Sequence, residues 1–566
     1  MDNLTLIAQH RKDKEASVKF KERRFHQWNE NYYLYRDKVI TNRLTQRQPV
    51  NIPILRETIQ TWISKIDEPP LLTFESRGKG NKAKDGEITL NSLWDYYYDK
   101  LKLDLVDNLD KKIVGLQGRS FKIWGFSQGE IFCDLIDPYD IEITSQVNPL
   151  DLNSASNVIR TNIFKPLREI LANEKYDKDE LNKLKIYLDS KQGLIKATEA
   201  YGEYQKKIER LTTLGAYNYD DYKASDVMVE LNESYKLVWN KEKNQFIRHK
   251  IVIAADFAVL YNKPLKEAIG IDFLPIVTWA DDPDLNDIWC DGKGDSVRTI
   301  NKVVNSYISQ DLENRSYRNF GMYFFNTMNG SFVPKAFDPK PFGMYGVPGN
   351  PDEIVKQMKI EPLQDTAQQI TFLKDMIQSS VAQTPTERGI TSANTKTLGE
   401  IQINLQQSQG LNQTGAKNYR RAWKESGMIF YELLNANATG RITLYKKGTD
   451  DVYRSKDVFP SDWQNLKGYE CKVVMKAEKE ADGQQTLERL NYIKNSFADN
   501  PIALKTAKKK ELEIFDWTPE EIEEVMMFED QKLNPTGESL PPETPEGGPG
   551  PEEGAVKSPL QLNAKA

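Results

Sequence analysis

Gly125-Phe-Ser127-Gln-Gly129 sets a serine between two glycines at the spacing of a nucleophile elbow. That geometry needs a strand entering, a strained turn exposing the hydroxyl, and a helix leaving to stabilise an oxyanion. Here the departing residues, Glu130 to Ile136, read as a strand, and His249 is the one downstream histidine available as a base. A hairpin turn is the expectation, with a Ser127-dependent hydrolase as the alternative. Asp281, Asp282, Asp284, Asp287, Asp291 and Asp295 form a carboxylate-dense segment whose chemistry would be Mg²⁺-dependent nuclease or phosphoryl-transfer work. Pro283 and two glycines make that stretch read as a loop, whereas metal ligands come from fixed elements. Asp291-Gly-Lys-Gly-Asp-Ser296 lacks the earlier glycine and four-residue spacer of a phosphate loop, and its lysine is followed by glycine. Cys133, Cys290 and Cys471 lie far apart with no CxxC spacing, and the histidines are His10, His26 and His249. This argues against zinc, a disulfide framework and a cysteine nucleophile. No catalytic residue, metal ligand or cofactor is expected.

The elements that would position any site are read from the patterning of a 566-residue chain that is 39% hydrophobic and 28% charged, enough for several packed layers. Its net charge of −6 is not that of a protein that clings to duplex DNA by neutralising phosphates. The longest apolar stretches, such as Phe273 to Ala280, fall well short of a membrane span, and the N-terminus has no secretory pattern. Residues 1 to about 110 read as helical. Within them, the aromatic and basic residues of Lys19 to Tyr35 suit a helix with a buried aromatic face better than a base-stacking surface. A β-rich core follows over 120–280, starting with a hairpin around Gly125 to Gly129 and closing at Asp137-Pro-Tyr-Asp140. It is expected to carry a charged helical insertion at 150–220. Strands are expected at Val227 to Glu233, Lys236 to Trp239 and Phe246 to Ala254.

From Gly294 a helix capped by Asp295 or Ser296 runs to about Phe320. Short strands broken by prolines fill 322–365. A second helix opens at the capping signature Thr366-Ala-Gln-Gln369, a small polar loop spans Thr384 to Lys396, and a long amide-rich helix starts at Thr397-Leu-Gly-Glu400 and ends near Asn437. Strands are expected at Arg441 to Tyr445 and Tyr469 to Lys476, and helices at Gln484 to Asn500 and Pro519 to Glu529. After Leu533 a Pro/Gly/Glu-rich tail is expected to be disordered. The fold class expected is α+β, predominantly helical.

The order helix, proline-rich β insert, helix, small-residue loop, long amide-rich helix resembles the central part of the portal proteins of tailed double-stranded DNA bacteriophages. Gly294-Asp-Ser-Val-Arg-Thr-Ile-Asn-Lys-Val-Val-Asn-Ser-Tyr-Ile-Ser looks like the family's first stem helix, and Thr397-Leu-Gly-Glu400 like the start of its long helix. The strand pair ending in Asp137-Pro-Tyr-Asp140 is similar to the family's strand-then-Asp-Pro element. Leu398 and Gly399 depart from the alanine usual after the loop threonine, and 150–220 has no counterpart that can be placed.

The resemblance implies a wing (1–293 and 397–480), stem helices at 294–321 and 366–383, a clip at 322–365, a tunnel loop at 384–396, and crown-like helices at 481–532 before the tail at 533–566. A long helix would line or border a channel. It further implies a homo-oligomer of twelve, passing viral double-stranded DNA without sequence preference. DNA would meet Thr386, Arg388, Thr391, Ser392, Asn394, Thr395 and Lys396 of the loop and Gln402, Gln406 and Gln409 of the long helix. Phe332, Lys335, Phe342, Tyr345 and Lys356 of the clip would meet the large terminase and later the tail adaptor proteins. Major capsid and scaffold proteins are the remaining implied partners, with the ring at the capsid portal vertex of the virion after synthesis in the host cytoplasm. Amides and hydroxyls on a channel wall suit sliding, where a cationic clamp would not. The alternatives are an enzyme at Ser127 or at the Asp281–Asp295 segment, and a helical adaptor without a channel.

Overall fold

The computed structural model describes residues 2–38, 50–66, 71–78, 81–127, 129–144, 147–188, 194–195, 227–319, 323–325, 350, 355–357, 361–363, 366–380, 413–447, 453–464 and 468–474. In the C-terminal part it describes 487, 490–492, 494, 501–514 and 525. The chain divides into two compact units, Met1–Lys476 and Ala477–Ala566. Among the described residues no helix is long and apolar enough to cross a membrane.

In the first unit the order is α1 (Asn3–Glu22), α2 (Phe25–Tyr35), α3 (Ile54–Ile66), β1 (Leu71–Ser76), α4 (Asn81–Lys100) and α5 (Leu103–Gln117). The hairpin β2 (Arg119–Ser127) and β3 (Glu130–Ile136) follows, then β4 (Ile141–Ile143), β5 (Asn157–Pro166), α6 (Leu167–Leu171), α7 (Lys178–Leu188) and β6 (Leu194–Ile195). Next come β7 (Met228–Asn240), β8 (Gln245–Ala254), β9 (Ala258–Pro264), α8 (Leu265–Ile269) and β10 (Ile276–Ala280). The long α9 (Lys293–Asn319) leads to β11 (Tyr323–Phe325), β12 (Val355–Gln357), α10 (Thr366–Ser380) and α11 (Gln413–Asn437). The unit ends with β13 (Ile442–Lys447), β14 (Tyr453–Val458), α12 (Pro460–Trp463) and β15 (Tyr469–Val474). The second unit contributes α13 (Pro501–Ile514).

The fold is α+β with several antiparallel sheets. The largest has six strands in the order β4-β5-β7-β8-β9, with β6 added in parallel to β7. A three-stranded sheet, β10-β2-β3, lies at the centre of an aromatic core. Trp94 of α4 meets Phe430 of α11 edge-on at 5.1 Å, and Trp124 of β2 at 6.1 Å. Such pairs add about 0.5–1.5 kcal/mol beyond burial, and they join three segments far apart in sequence. A second cluster joins Phe25 and Trp28 of α2 to Tyr139 and Trp289. The aromatic residues of 19–35 thus face the core at Phe25 and Trp28, as their spacing predicts.

Several expectations change. The helical 1–110 region holds a strand, β1, because Leu72 and Phe74 alternate inward and pair with Cys471 and its neighbours at the far end of the unit. The supposed helical insertion at 150–220 begins with β5, a strand of the large sheet. Its β-branched run Val158-Ile159 is buried, while Arg160 and Lys165 gave the segment a charged look. Helices follow at α6 and α7, but Leu194-Ile195 is strand where a helix was expected, and 196–226 lie outside the described residues. The two short strands expected over 227–239 are one strand, β7. Gly125 lies within β2 opposite Phe132, where a Cβ would collide with that ring, and the two strands stay paired as far as Ser127 and Glu130. In the second unit α13 falls within the 481–532 region expected to be helical, between the two helices expected at Gln484 to Asn500 and Pro519 to Glu529.

Candidate functional site

The residues singled out for a tunnel loop (Thr386, Arg388, Thr391, Ser392, Asn394, Thr395, Lys396), a channel-side helix face (Gln402, Gln406, Gln409) and a clip surface (Phe332, Lys335, Phe342, Tyr345) lie outside the described residues. Lys356 is placed by its backbone in β12, opposite Phe324 of β11. The expected long helix is described from Gln413 onward. What is described is the scaffold that carries these segments.

That scaffold is a pair of helices. α9 has 27 residues, a rod of about 40 Å. It packs on α10 through Val297, Val304 and Ile377, and the same cluster takes Leu34 of α2, Ile54, Leu55 and Ile59 of α3, and Leu116 of α5. β11 and β12 pair antiparallel between the two helices in sequence, and Asn314 Nδ2 donates to Glu361 O at 2.9 Å, tying α9 to the segment that enters α10.

One face of α9 is a polar ladder at helical spacing, Asn301, Asn305 and Ser309. Asn301 Oδ1 accepts from Leu55 N at 3.0 Å, Asn305 Oδ1 from Ile52 N at 2.9 Å, and Ser309 Oγ from Val50 N at 3.1 Å. Asn301 Nδ2 also donates to Ile52 O at 3.1 Å. The amides serve a chain segment running along the helix, satisfying backbone groups that a helix surface otherwise leaves unpaired. α10 differs: Phe372 and Met376, four residues apart, are exposed at 64% and 43%.

Five of the six aspartates at 281–295 are held by cations or backbone amides, and Asp282 is exposed. Asp281 pairs with Lys293 at 2.7 Å; Asp287 with Arg23 and Arg24; Asp291 with Arg24. Asp284 accepts from the amides of Asn286 (2.9 Å) and Asp287 (3.3 Å), which hold its carboxyl below the ordinary range. Asp295, expected to precede α9, lies inside its first turn, where its carboxylate accepts from Gly292 N at 2.8 Å and contacts Arg298. Among the described residues no group of three or more acidic, histidine or cysteine side chains could hold a metal ion. The glycines of 291–294 serve close packing: a Cβ on Gly292 would lie 2.7 Å from Gly115 O, and Gly118, at φ +85°, lies against the Cys290 carbonyl.

Ser127 is exposed at the end of β2, opposite Glu130, so a strand and not a helix leaves the turn. His249 contacts Asn262 at 3.0 Å. Its neighbour Lys250 lines a cavity together with Ser127, so strand alternation sends the histidine to the other face. The three cysteines are free and buried; burial pushes Cys133 and Cys471 up to about 12 and raises Cys290 as well. None is a ready thiolate.

A buried charged group escaped the sequence reading. Asp107 and Asp110 of α5 pair with Lys111 (2.7 Å) and with Lys122 of β2 (2.8 Å). Tyr419 Oη and Trp423 Nε1 donate to Asp107 Oδ1 at 2.6 and 3.2 Å, and Trp279 Nε1 to Asp110 Oδ2 at 2.7 Å. Burial opposes the Lys122 charge, but Asp110 and Asp107 outweigh it and raise the ammonium above the ordinary lysine range. Lys122 also lies 4.6 Å from the Trp423 ring centre. The signal was present in Asp107, Asp110 and Lys111, which share a face three and four residues apart. A charged residue on such a face ordinarily reads as solvated. With every oxygen of Asp107 and one of Asp110 engaged by a core donor, the group joins α5, β2, β10 and α11 and offers no open position to a substrate.

No protein-family model matches this sequence, and no curated protein matches it.

Proposed function

We propose that the chain is a portal-type subunit: a structural protein that assembles into a ring, passes viral double-stranded DNA through the central channel, and docks the packaging motor and then the tail adaptor. The reading is of a non-enzymatic protein of the virion, in contact with capsid and scaffold proteins. One observation carries it. Two helices, α9 and α10, pack together, and the sequence between them departs and returns through the short strand pair β11–β12, the arrangement expected of two stem helices bearing a clip.

The physics of the pair supports assembly. α9 is covered by α2, α3, α5 and α10 of its own chain, while Phe372 and Met376 of α10 are exposed at 64% and 43%. A neighbouring subunit that covered both would contribute roughly 1.5–3 kcal/mol for each fully buried side chain. Repeated around a closed ring by a head-to-tail interface, each chain would both give and receive that contact. The polar character of the segments assigned to the channel suits passage of DNA without adhesion, as does the acidic balance of the chain.

Negative-stain electron microscopy of the purified full chain tests the reading. End-on views should show rings of about twelve subunits, as the resemblance implies, with a hole wide enough for duplex DNA. Phe372→Asp with Met376→Asp should shift the population toward monomers while circular dichroism stays unchanged. Compact monomers at all concentrations of the unaltered chain, with and without scaffold protein, would refute it.

A further inference from the structure

The hairpin β2–β3 and the six-stranded sheet do not close on one another completely. Between them lies a cavity of about 400 Å³ whose two walls differ in chemistry. The hairpin wall is mostly apolar, with Trp124, Phe126 and Phe132. The sheet wall is charged. Alternate residues of a strand share a face, so Glu233 and Tyr235 of β7 stand together, as do Lys250 and Val252 of β8. Arg160 of β5 is directly opposite Glu233, and Lys250 directly opposite Tyr235.

Glu233 is the hub of this wall: Lys250 Nζ lies 3.3 Å from one of its oxygens and Arg160 Nη1 3.8 Å from the other. Burial works to raise the Glu233 carboxyl, and Lys250, Arg160 and Lys165 together outweigh it and hold it low. Burial likewise pushes the Tyr235 hydroxyl up to about 12, so it stays a donor. Lys165 and Lys175 add two exposed cations to the lining. The four cations face two carboxylates, Glu233 and Asp134, which leaves an excess of two positive charges in a space closed on both sides by packed strands.

We propose that this cavity is a binding site for a phosphoryl group, carried by a small organic molecule or present as free phosphate. A phosphoryl dianion matches the charge excess, and its oxygens match donors of three kinds: guanidinium, ammonium and the hydroxyls of Tyr176, Tyr235 and Tyr261. A space of this size suits a small-molecule ligand, and the aromatic wall leaves room for an organic portion. Lys165 and Lys175 attract and hold the anion, while Lys250 and Arg160 fix the inner wall through Glu233.

Isothermal titration of the full chain with inorganic phosphate, and separately with a nucleoside monophosphate, decides the matter, with chloride at matched ionic strength as control. Saturable binding near one equivalent per chain is expected. Lys165→Gln with Lys175→Gln should weaken it by on the order of tenfold or more. Both lysines are exposed, so the fold should survive the double substitution, with an unchanged circular-dichroism spectrum as the check. A monophosphate that binds more tightly than phosphate assigns the organic portion to the aromatic wall; equal affinities assign the phosphoryl group alone, and either result sustains the site. Absence of saturable binding above the chloride control, or binding unaffected by the double substitution, overturns the proposal.

Discussion

Replacing Asp110 by leucine should destabilise the first unit by several kcal/mol, and adding Lys122→Met should restore most of the loss. Both side chains are essentially inaccessible, at 0% and 2%, and their charged atoms are 2.8 Å apart. In Asp110→Leu the Lys122 ammonium keeps Asp107 as its nearest carboxylate, but one oxygen of Asp107 already holds Lys111 and the other Tyr419 and Trp423. An uncompensated buried charge costs about 3–5 kcal/mol. Trp279 Nε1 loses its acceptor in the same variant, about 1–3 kcal/mol more. In the double variant the stranded ammonium is gone and only the indole N–H remains unpaired, so the net loss should fall to about 1–3 kcal/mol. Guanidinium unfolding followed by tryptophan fluorescence measures all four corners of the cycle, because Trp94, Trp124, Trp279 and Trp423 surround the pair. A single variant within about 1 kcal/mol of the parent, or single effects that simply add in the double, would refute the argument that these charges are coupled in the core.

Two further predictions concern segments docked by polar contacts. His10 of α1 lies 3.9 Å from Asp256, and its pKa falls to about 4 from the ordinary 6.5 because burial dominates, with Asp256 and Asp13 raising it and Lys14 and Lys236 lowering it. A folded value below the unfolded one means the stabilisation is complete above pH 6.5 and is lost as pH falls toward 4, about 3 kcal/mol over the window. Urea midpoints of the parent should therefore fall more steeply between pH 7 and 4.5 than those of His10→Gln; identical slopes would exclude a buried neutral His10. Asn301→Ala should leave Leu55 N without its acceptor, costing about 1–3 kcal/mol and raising hydrogen exchange at the Leu55 amide on the order of tenfold or more. Unchanged protection there would mean that the polar ladder of α9 does not hold residues 50–55.

The elements with strong local signals were legible in the sequence. α10 opens at Thr366 as its capping signature placed it, α9 opens at Lys293, slightly ahead of its expected caps Asp295 and Ser296, and the β2–β3 hairpin follows from two β-rich runs. What failed to show was pairing across long separations. β1 was absorbed into the helical reading of residues 1 to about 110 because nothing near residue 71 reveals that its partner is Tyr469–Val474. β5 was masked by Arg160 and Lys165, whose charges suggested a solvated helix, whereas in the folded chain both line a cavity between two sheets. The Asn and Ser residues of α9 were visible as a pattern, but their acceptor and donor roles required the segment 50–55 to be brought against them. The aspartates of 281–295 were visible as a cluster, and Arg23 and Arg24, more than 250 residues away, could not be foreseen as their partners.

Buried charges recur at several places where remote segments of this chain meet. Lys21 of α1 donates to the carbonyls of Pro138 (3.0 Å), Tyr139 (3.2 Å) and Ile141 (2.9 Å) and to Glu142, so the ammonium encloses the Asp137-Pro-Tyr-Asp140 turn. Arg119 Nε donates to Ile288 O at 2.7 Å, and Arg248 donates to the carbonyls of Tyr235, Asn153 and Ala155. Apolar burial alone would hold these segments together but would tolerate sliding, since it has no direction. A cation committed to two or three carbonyls tolerates little displacement, because each lost bond leaves a buried polar group unpaired. If the chain is the ring subunit proposed above, this rigidity is the relevant property: a small tilt of α9 against its own unit would then be repeated at every interface of the closed ring. On that proposal the buried cations would bear on assembly as much as on stability, and Lys21→Met is the substitution in which the two effects would part: ring closure should fail at temperatures where the isolated chain remains folded, and rings that persist up to its melting temperature would refute the link.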